Sequence, residues 1–229
     1  MTLSFIFRTK GALVVVADRK AISKDDNIRD ADSLSIKFFM DNITKIKEIS
    51  HNLIFVGAGN KEILDKAIER INLSNDFEEF LKYLKIKINE IYSDFGEEKI
   101  DQEEFLVIEK DKQRAFKFRI KEIRESGGEK GCYELNSSKI GNNFIGCYEN
   151  CINLGNVKQK IIDLRDKDFR RRNEEFRNKC NEFLSDLSID NLNSVGHPSI
   201  HGSDIWLISK KKIKKFFTYP KNKYDYEIS

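Results

Sequence analysis

The pattern of hydrophobic and polar positions opens with two predicted strands. Residues 2–7 (TLSFIF) alternate between polar and apolar side chains, whereas residues 11–18 (GALVVVAD) form an almost continuous apolar run. Alternation predicts a strand with one buried face, and a continuous run predicts a strand that is covered on both faces. Lys10 and Gly11 supply a turn between the two. The chain is therefore predicted to begin with a buried β-hairpin.

A second pair of strands and two helices follow the hairpin. Residues 45–50 and 52–59 have strand character. Asn60 is placed to cap a first helix, because its side-chain oxygen can accept a first-turn N–H. A second helix is predicted to begin near Asn75, where Glu78 completes a loose capping box. Apolar residues at helical spacing give each helix one buried face.

The later part of the chain alternates again between strands and a helical region. The predicted strands are 105–110, 115–121, 132–135, 143–148, 203–209 and 213–217, and the predicted helical region is 150–188. Strands in hairpins with segregated helix pairs are typical of an α+β protein with antiparallel sheets. Two sheets stacked face to face, with a helix layer outside each, would bury the strands that are apolar on both faces.

Composition limits the class of protein. The chain has 229 residues, 39% apolar and 34% charged, which is typical of a soluble globular protein and excludes a disordered one. No apolar run reaches the length of a transmembrane helix. The N-terminal apolar stretch is broken by Arg8, Thr9 and Lys10, so it is not expected to be a signal peptide. We expect a cytoplasmic protein with no membrane partner.

Two possible metal or redox sites are weak. The chain has no CxxC pair, and its four cysteines are expected to be reduced thiols: Cys132, Cys147, Cys151 and Cys180. His197 and His201 have the spacing of metal ligands. Pro198 and nearby glycines make that segment a loop, however, and no third ligand is evident. We therefore expect no metal and no cofactor.

Basic clusters leave a nucleic-acid-associated protein as an alternative class. The clusters are 170–172 (RRR) and 210–215 (KKKIKK), in a chain whose net charge is only +3. Nucleic-acid binding needs a basic face with interleaved aromatic residues or a helix that enters a groove. Glu174 and Glu175 dilute the first cluster. A solvated surface is the simpler interpretation, and no nucleic-acid partner is expected.

The candidate chemistry centres on Thr2. Thr is a common strand residue, but it is small enough for an aminopeptidase to remove Met1, which leaves a free α-amine beside the Thr hydroxyl. That amine has a pKa of about 7.7–8.0 and can take the hydroxyl proton. Asp18 ends the second strand, and Lys45 begins the next apolar segment. A Lys near a nucleophilic oxygen would stabilise its ionised form. The alternative is that Asp18 is a turn residue and Lys45 a solvated charge.

Two stretches together resemble a known family. MTLSFIFRTKGALVVVADRKAI and NITKIKEISHNLIFVGAG are similar to the opening of a proteasome β-type subunit, the threonine branch of the N-terminal nucleophile hydrolases. That family has a nucleophilic Thr, a hairpin ending in Asp, then a Lys, then a strand ending in Gly. These correspond to Thr2, Asp18, Lys45 and Gly59. An exposed insertion at about 20–44 lengthens the chain between the two matching stretches.

The resemblance implies a mechanism and a fold. Thr2 would be the nucleophile, with its α-amine as the general base. Lys45 would stabilise the ionised Thr oxygen, Asp18 would orient Lys45, and the backbone N–H of Gly59 would stabilise the oxyanion. The implied fold is the four-layer αββα sandwich. Residues 2–95 carry the strong part of the resemblance.

The C-terminal half departs from the family pattern. The family has a Ser that supports the Thr amine, and Cys147 stands at that position, although a thiol is a poorer hydrogen-bonding partner. Ser199 matches a second supporting Ser, whereas the Asp that precedes it in the family has no clear equivalent, since Asp190 needs a gap to align. The resemblance makes residues 1–216 one N-terminal nucleophile domain and 217–229 a peripheral tail.

The expected function is peptide-bond cleavage through an acyl-enzyme on Thr2. The start Met-Thr-Leu with a later Ala-Asp-Arg-Lys is also similar to archaeal connectases, which pass the acyl group to the amine of another polypeptide. A catalytically inactive binding or assembly protein is a third alternative. The expected partner is a polypeptide substrate, and the choice between monomer and homo-oligomer stays open.

Overall fold

Ten segments of the chain carry the structural description. The computed structural model describes residues 4–9, 11–18, 21–22, 39–40, 44–58, 68–69, 76–95, 103–135, 144–147 and 203–218. Most of the helix predicted after Asn60 lies outside these segments, although positions 68–69 are helical. The polar loop of the predicted insertion and the predicted helical region 150–188 also lie outside them.

Strands dominate the described residues. In chain order they are β1 (Ser4–Thr9), β2 (Ala12–Asp18), β3 (Ala21–Ile22), β4 (Phe39–Met40), β5 (Ile46–Glu48), β6 (Leu53–Ala58), β7 (Glu104–Glu109), β8 (Arg114–Arg119), β9 (Cys132–Glu134), β10 (Phe144–Cys147), β11 (Ser203–Ile208) and β12 (Ile213–Thr218). Two helices are described, α1 (Phe77–Phe95) and α2 (Ile120–Glu125).

The strands form two large antiparallel sheets and one small ladder. The first sheet has five strands in the order β10-β1-β2-β11-β12, and the second has five in the order β5-β6-β7-β8-β9. The two-stranded ladder β3-β4 lies within the predicted insertion. Gly11, in the turn between β1 and β2, has a φ of 86°, which favours glycine because it has no Cβ.

The two large sheets pack face to face through an apolar layer. Alternate residues of β1, β2, β10 and β11 meet alternate residues of β5 to β8, and this inner layer contains Ile6, Leu13, Val15, Ala17, Ile46, Ile54, Val56, Leu106, Ile108, Ala115, Ile145, Trp206 and Ile208. Burying large apolar side chains on both faces of this contact is the main driving force for the fold.

The opposite face of the second sheet packs against helices. Phe77, Phe80 and Leu84 of α1 and Ile120 and Ile123 of α2 join the outward side chains of β6, β7 and β8. The rings of this layer interlock at short distances, since their centroids lie 3.8 Å apart for Phe77 and Phe116 and 5.0 Å apart for Phe105 and Phe118. Such ring pairs contribute roughly 0.5–1.5 kcal/mol each beyond their buried area.

The outer face of the first sheet is also buried. Its outward residues Phe5, Phe7, Val14, Val16 and Ile205 are all inaccessible to solvent. The continuous apolar run of β2 was predicted to be covered on both faces, and this burial confirms it. The predicted α+β class, with two antiparallel sheets stacked face to face, is likewise confirmed.

Two local predictions were wrong. The strand predicted over 115–121 ends at Arg119, and α2 follows it because Ile120 and Ile123 turn together into the aromatic layer. The predicted N-cap of the second helix, Asn75, is one residue early. The amide of Glu79 donates to Asp76 Oδ1 at 2.8 Å, so Asp76 is the N-cap.

We expect Asp76→Ala to destabilise the protein by about 1 kcal/mol, since it removes the side-chain acceptor for a first-turn amide. In a domain of this size the thermal midpoint should fall by roughly 2–4 °C. Asn75→Ala is the matched control, and thermal unfolding of both variants provides the comparison. A larger loss in Asn75→Ala than in Asp76→Ala would contradict the assignment.

Candidate functional site

The predicted site residues fall into two groups. Lys45 is described with its side chain, and the backbones of Asp18 and Cys147 are described as the last residues of β2 and β10. Thr2, Gly59 and Ser199 lie outside the described residues. The geometry of the site therefore rests on the strand ends that adjoin these positions.

One row of residues crosses the first sheet close to Thr2. Ser4 pairs with Cys147 on one side and with Ala17 on the other, and Ala17 pairs with Asp204. All four positions share the parity of Ile6, Ala17 and Trp206, which belong to the inner layer. The row therefore lies on the inner face of the sheet. It brings the predicted Cys147 beside the strand that follows Thr2.

The second sheet contributes Lys45 at the start of β5. The carbonyl of Lys45 accepts a hydrogen bond from the Gly57 amide at 2.9 Å, and Ile46 pairs with Val56. Lys45 thus lies beside Gly57, the last residue but one of β6. Its side chain is buried, with only 9% of the residue exposed. This pairing places Lys45 at the end of the sheet where β6 ends.

Two polar contacts between the sheets show how the sheets are aligned. The Arg8 guanidinium donates to the carbonyl of Gln113, which links the β1–β2 turn region to the β7–β8 turn. The Lys215 ammonium lies 2.5 Å from the Glu48 carboxylate, which links β12 to β5. Because stacked sheets keep their strands nearly aligned, the ends that carry Ser4 and Lys45 lie together at the other end of the sandwich.

Lateral contacts show which strands face each other. β10 lies against β7 and β8, β1 lies against β6, and β12 is tied to β5 by the Lys215–Glu48 ion pair. From one edge to the other, the strands of the first sheet therefore face strands of the second sheet that follow one another in the same direction, from β7 and β8 to β5. Because β11 lies between β2 and β12, Asp204 is placed near the start of β5, which Lys45 immediately precedes.

The end of the sandwich with Lys45 also holds an ionic cluster that is buried at Lys117 and more exposed at Arg119 and Glu122. The Glu104 carboxylate forms ion pairs with Lys117 Nζ at 3.0 Å and with Arg119 Nε at 3.1 Å. The Lys117 side chain is almost wholly buried. Arg119 also contacts the Glu122 carboxylate at 2.9 Å. Contact with Tyr133 and Arg119 lowers the pKa of Glu122, and its hydrogen bond to Tyr133 is the larger cause. Charged groups in such a buried position need partners to offset desolvation.

Two polar residues at this end were missed by sequence reasoning. Ser4 is inaccessible to solvent, and among the described residues its hydroxyl has no hydrogen-bond partner. Asp204 is 9% exposed at the start of β11. A single Asp within a strand pattern does not by itself indicate a functional role. The cross-strand pairing of Asp204 shows where it lies, and that pairing cannot be read from the sequence.

A free cysteine is described at the edge of the second sheet that lies farthest from β5. Cys132 starts β9 and is partly exposed, yet burial of its thiol, together with the Glu134 carboxylate, raises the pKa of Cys132 to about 11. The thiol is therefore protonated at neutral pH, and a protonated thiol is a poor nucleophile.

Metal binding and membrane insertion were also assessed within the described part of the chain. There, no group of His, Cys, Asp and Glu is arranged to hold a metal ion, while His197 and His201 lie outside the described residues. Neither described helix combines the length and apolar character needed to cross a membrane.

Solved structures of similar fold are Anbu proteins. The (Gly-1) mutant of Anbu from Hyphomicrobium sp. strain MC1 has a TM-score of 0.63 and 14% identity, covering 98% of this chain and 91% of that one. Anbu (ancestral beta-subunit) from Yersinia bercovieri has a TM-score of 0.60 and 12% identity, covering 93% and 86%. A second Anbu structure from Hyphomicrobium sp. strain MC1 has a TM-score of 0.58 and 16% identity, covering 97% and 89%.

These comparisons correct the family assignment. No family model matches the chain, and no curated protein does. The assignment to the proteasome β-type subunits, or to the connectases, is therefore wrong, because the structures of similar fold are Anbu proteins, which share a proteasome-like fold but form a different family. At 12–16% identity the likeness establishes the fold alone. The chain has the proteasome-like αββα architecture.

Proposed function

We propose that this protein is an N-terminal nucleophile enzyme that uses Thr2 to break an amide bond in a polypeptide. The observation that carries the proposal is the buried Lys45 at the same end of the sandwich as the strand that follows Thr2. A buried ammonium needs a negative partner, and an ionised Thr oxygen together with Asp18 supplies one.

The chemistry follows from groups at that end. Thr2 Oγ1 attacks the carbonyl carbon of the substrate, and its proton passes to the Thr2 α-amine. The C–N bond breaks, the α-amine gives that proton to the leaving amine, and an ester remains on Thr2. Water or a second amine then attacks the ester and returns a proton to Thr2 Oγ1. Lys45 stabilises the ionised oxygen at each attack, and a backbone N–H at Gly59 stabilises the oxyanion.

A thiol mechanism at Cys132 is disfavoured by its environment. A nucleophilic cysteine needs a depressed pKa, whereas burial raises the pKa of Cys132 to about 11. Cys132 also begins β9, at the far edge of the second sheet from β5. Thr2 is therefore the better candidate for the acyl-enzyme.

We expect the purified protein to lack Met1 and to react at Thr2 with an electrophile directed at N-terminal threonines. Intact-mass measurement checks both points. Thr2→Ala should abolish labelling while thermal unfolding stays unchanged, and Thr2→Ser should retain part of it because the hydroxyl remains. Equal labelling of the wild type and Thr2→Ala would rule out this nucleophile.

Incubation with a peptide library identifies the reaction. Mass spectrometry should reveal cleaved peptides if water resolves the ester, and joined peptides if an amine does. A chain that retains Met1, is not labelled and produces neither product would be a non-catalytic protein with this fold.

We expect Lys45→Ala to lower the labelling rate of Thr2 by roughly 100- to 1,000-fold, as removal of one group that stabilises a developing oxyanion typically does. Lys47→Ala is the matched control, since Lys47 is two residues further along β5 and is only half-buried. Labelling kinetics with thermal unfolding measure the effect. Similar rates in both variants would argue against a role for Lys45.

We expect Cys132 to be alkylated about 100-fold more slowly in the folded protein than in the unfolded protein at pH 8. A rise of about two units in the pKa lowers the fraction of Cys132 that is present as thiolate by that factor. Peptide-level mass spectrometry after timed iodoacetamide treatment follows this one site. The folded-state rate should climb steadily up to about pH 11. A fast reaction at pH 7 would show that the thiol is activated instead.

A further inference from the structure

The β11–β12 hairpin carries a basic cluster, KKKIKK at 210–215, that the candidate site does not use. β11 ends at Ile208, so the turn that follows lies at the end of the hairpin away from Asp204 and Lys45. That turn contains three consecutive exposed lysines, Lys210, Lys211 and Lys212. These three residues, called the turn lysines below, are therefore separate from the end of the sandwich where Thr2 is expected to act.

Hydrogen bonds give this turn a fixed shape. The Ser209 amide donates to the Lys212 carbonyl at 3.0 Å, and the Ser209 hydroxyl donates to the same carbonyl at 2.9 Å. The Lys212 amide in turn donates to the Ser209 hydroxyl oxygen at 3.2 Å. Because these bonds hold the backbone of the turn in place, a partner that binds the turn lysines has less of the chain to order.

Within the described part of the chain, no carboxylate neutralises the turn lysines. The Glu48 carboxylate is engaged by Lys215 at 2.5 Å, and the Glu109 carboxylate is engaged by Lys112 at 2.7 Å. The turn lysines form no ion pair with any described residue. Three adjacent ammonium groups repel one another, so a negatively charged partner at this turn would relieve that repulsion.

β12 also offers backbone groups to a partner. It is the edge strand of the first sheet, and no described strand pairs with its outer side. Ser209 and Lys212 form a hydrogen-bonded pair, and hydrogen-bonded pairs alternate with non-hydrogen-bonded pairs along an antiparallel ladder. Ile213, Lys215 and Phe217 therefore direct their N–H and C=O groups away from β11. An extended segment of another chain can pair with these groups along the 20 Å or so that six residues span.

The lysines select which segment can pair with this edge. Lys214 and Lys215 lie on β12 itself, and the turn lysines lie at its start. A second copy of β12 would bring lysine beside lysine, and like charges on paired strands are destabilising. Lysines at an edge strand protect a protein against such self-association. An acidic segment instead meets opposite charges, so the same lysines that exclude another copy favour an acidic strand.

A nucleic acid fits this surface less well than an acidic polypeptide does. Proteins that bind single strands without sequence preference stack the bases on exposed aromatic rings. The Trp206 ring is buried, and the Lys215 ammonium lies 4.2 Å from its centroid. The exposed large hydrophobic residues among those described, Ile86 and Tyr133, lie on α1 and β9, away from the hairpin.

We propose that the outer edge of β12 binds an extended acidic segment of another polypeptide. The segment forms backbone hydrogen bonds with Ile213, Lys215 and Phe217, and its carboxylates form ion pairs with the turn lysines. Backbone pairing fixes the direction of the bound segment, and the lysines supply its specificity for acidic side chains. This binding needs no chemistry at Thr2, so it holds whether or not the protein is an enzyme.

The probe is a fluorescein-labelled peptide of about eight residues in which Glu alternates with Thr or Val, which favour an extended strand. In one control peptide Lys replaces every Glu. Two further peptides keep the Glu residues and are N-methylated at every second amide, one in each phase. N-methylation removes the N–H donors of one edge of the peptide and leaves its charge unchanged. Fluorescence anisotropy with the full chain, at about 50 mM and about 500 mM salt, measures the affinity.

We expect the Glu peptide to bind and to weaken at high salt, and the Lys peptide not to bind. One N-methylated peptide should lose its affinity, whereas the other should keep it, because only one edge of the peptide pairs with β12. In amide hydrogen exchange, the bound Glu peptide should protect Ile213, Lys215 and Phe217. The amides of Lys214 and Phe216, which already face β11, should change little.

A triple variant tests the turn lysines. Lys210→Gln/Lys211→Gln/Lys212→Gln should weaken binding of the Glu peptide roughly tenfold, as the loss of three exposed ion pairs implies. The matched control is Lys82→Gln/Lys121→Gln/Lys130→Gln, which removes the same charge from exposed lysines outside the hairpin and should bind like the wild type. Thermal unfolding shows that both variants are folded.

Several results would overturn the proposal. Equal binding of all the Glu-containing peptides, N-methylated or not, would show that charge attraction without strand pairing accounts for the affinity. No binding at about 1 mM peptide and low salt, or equal weakening in the two triple variants, would remove the site from this hairpin. A single-stranded oligonucleotide that binds more tightly than the Glu peptide, and loses that affinity in the turn variant, would assign the surface to nucleic acid.

Discussion

Face-to-face packing of the two large sheets is the interaction on which the rest of the structure depends. Ser4 and Asp204 lie on one sheet, whereas Lys45 and the end of β6 lie on the other. No backbone pairing joins these two groups in the described residues. Their meeting depends on the burial of the inner apolar layer. Substitutions deep in that layer, far from any reacting atom, therefore change the distance between the two halves of the candidate site.

Polar contacts between the two sheets determine the direction of that packing. An apolar layer is non-directional, so by itself it permits one sheet to rotate or slide over the other. The hydrogen bond from Arg8 to the Gln113 carbonyl and the Lys215–Glu48 ion pair are directional. Burial lowers the pKa of Arg8 even though the Glu134 carboxylate opposes that effect. These contacts keep the strands aligned, and alignment at one end places Lys45 with Ser4 at the other.

Much of the fold could be predicted because its strands carry strong local signals. The continuous apolar run of β2 indicated a strand covered on both faces, and both faces are buried. The start of α1 was less accessible to sequence reasoning, since Asn75 and Asp76 are both good N-cap residues and the choice depends on backbone geometry. The short α2 was missed because Ile120 continues the strand pattern of β8 until tertiary packing turns it into the aromatic layer.

The candidate site could be predicted from the sequence only in part, for a related reason. Lys45 lies beside the end of β6 because β5 and β6 are neighbouring strands that pair locally, and a sequence pattern can indicate such a pairing. The place of Asp204 depends on its pairing with Ala17, nearly the whole chain away, and no sequence spacing encodes it. The family assignment was wrong because the order of strands and helices indicates the architecture, and different families share one architecture.

The Thr2 amine bears on how an ester on Thr2 would be resolved. Water is a weak nucleophile that needs a base, whereas a neutral amine attacks an ester without one. In the proposed mechanism the base is the Thr2 amine, which can take a proton only while it is neutral. A group that favours the protonated form of this amine would therefore slow attack by water more than attack by a neutral amine. The balance between cleavage and joining would then depend on the charge around the amine, in addition to the identity of the nucleophile.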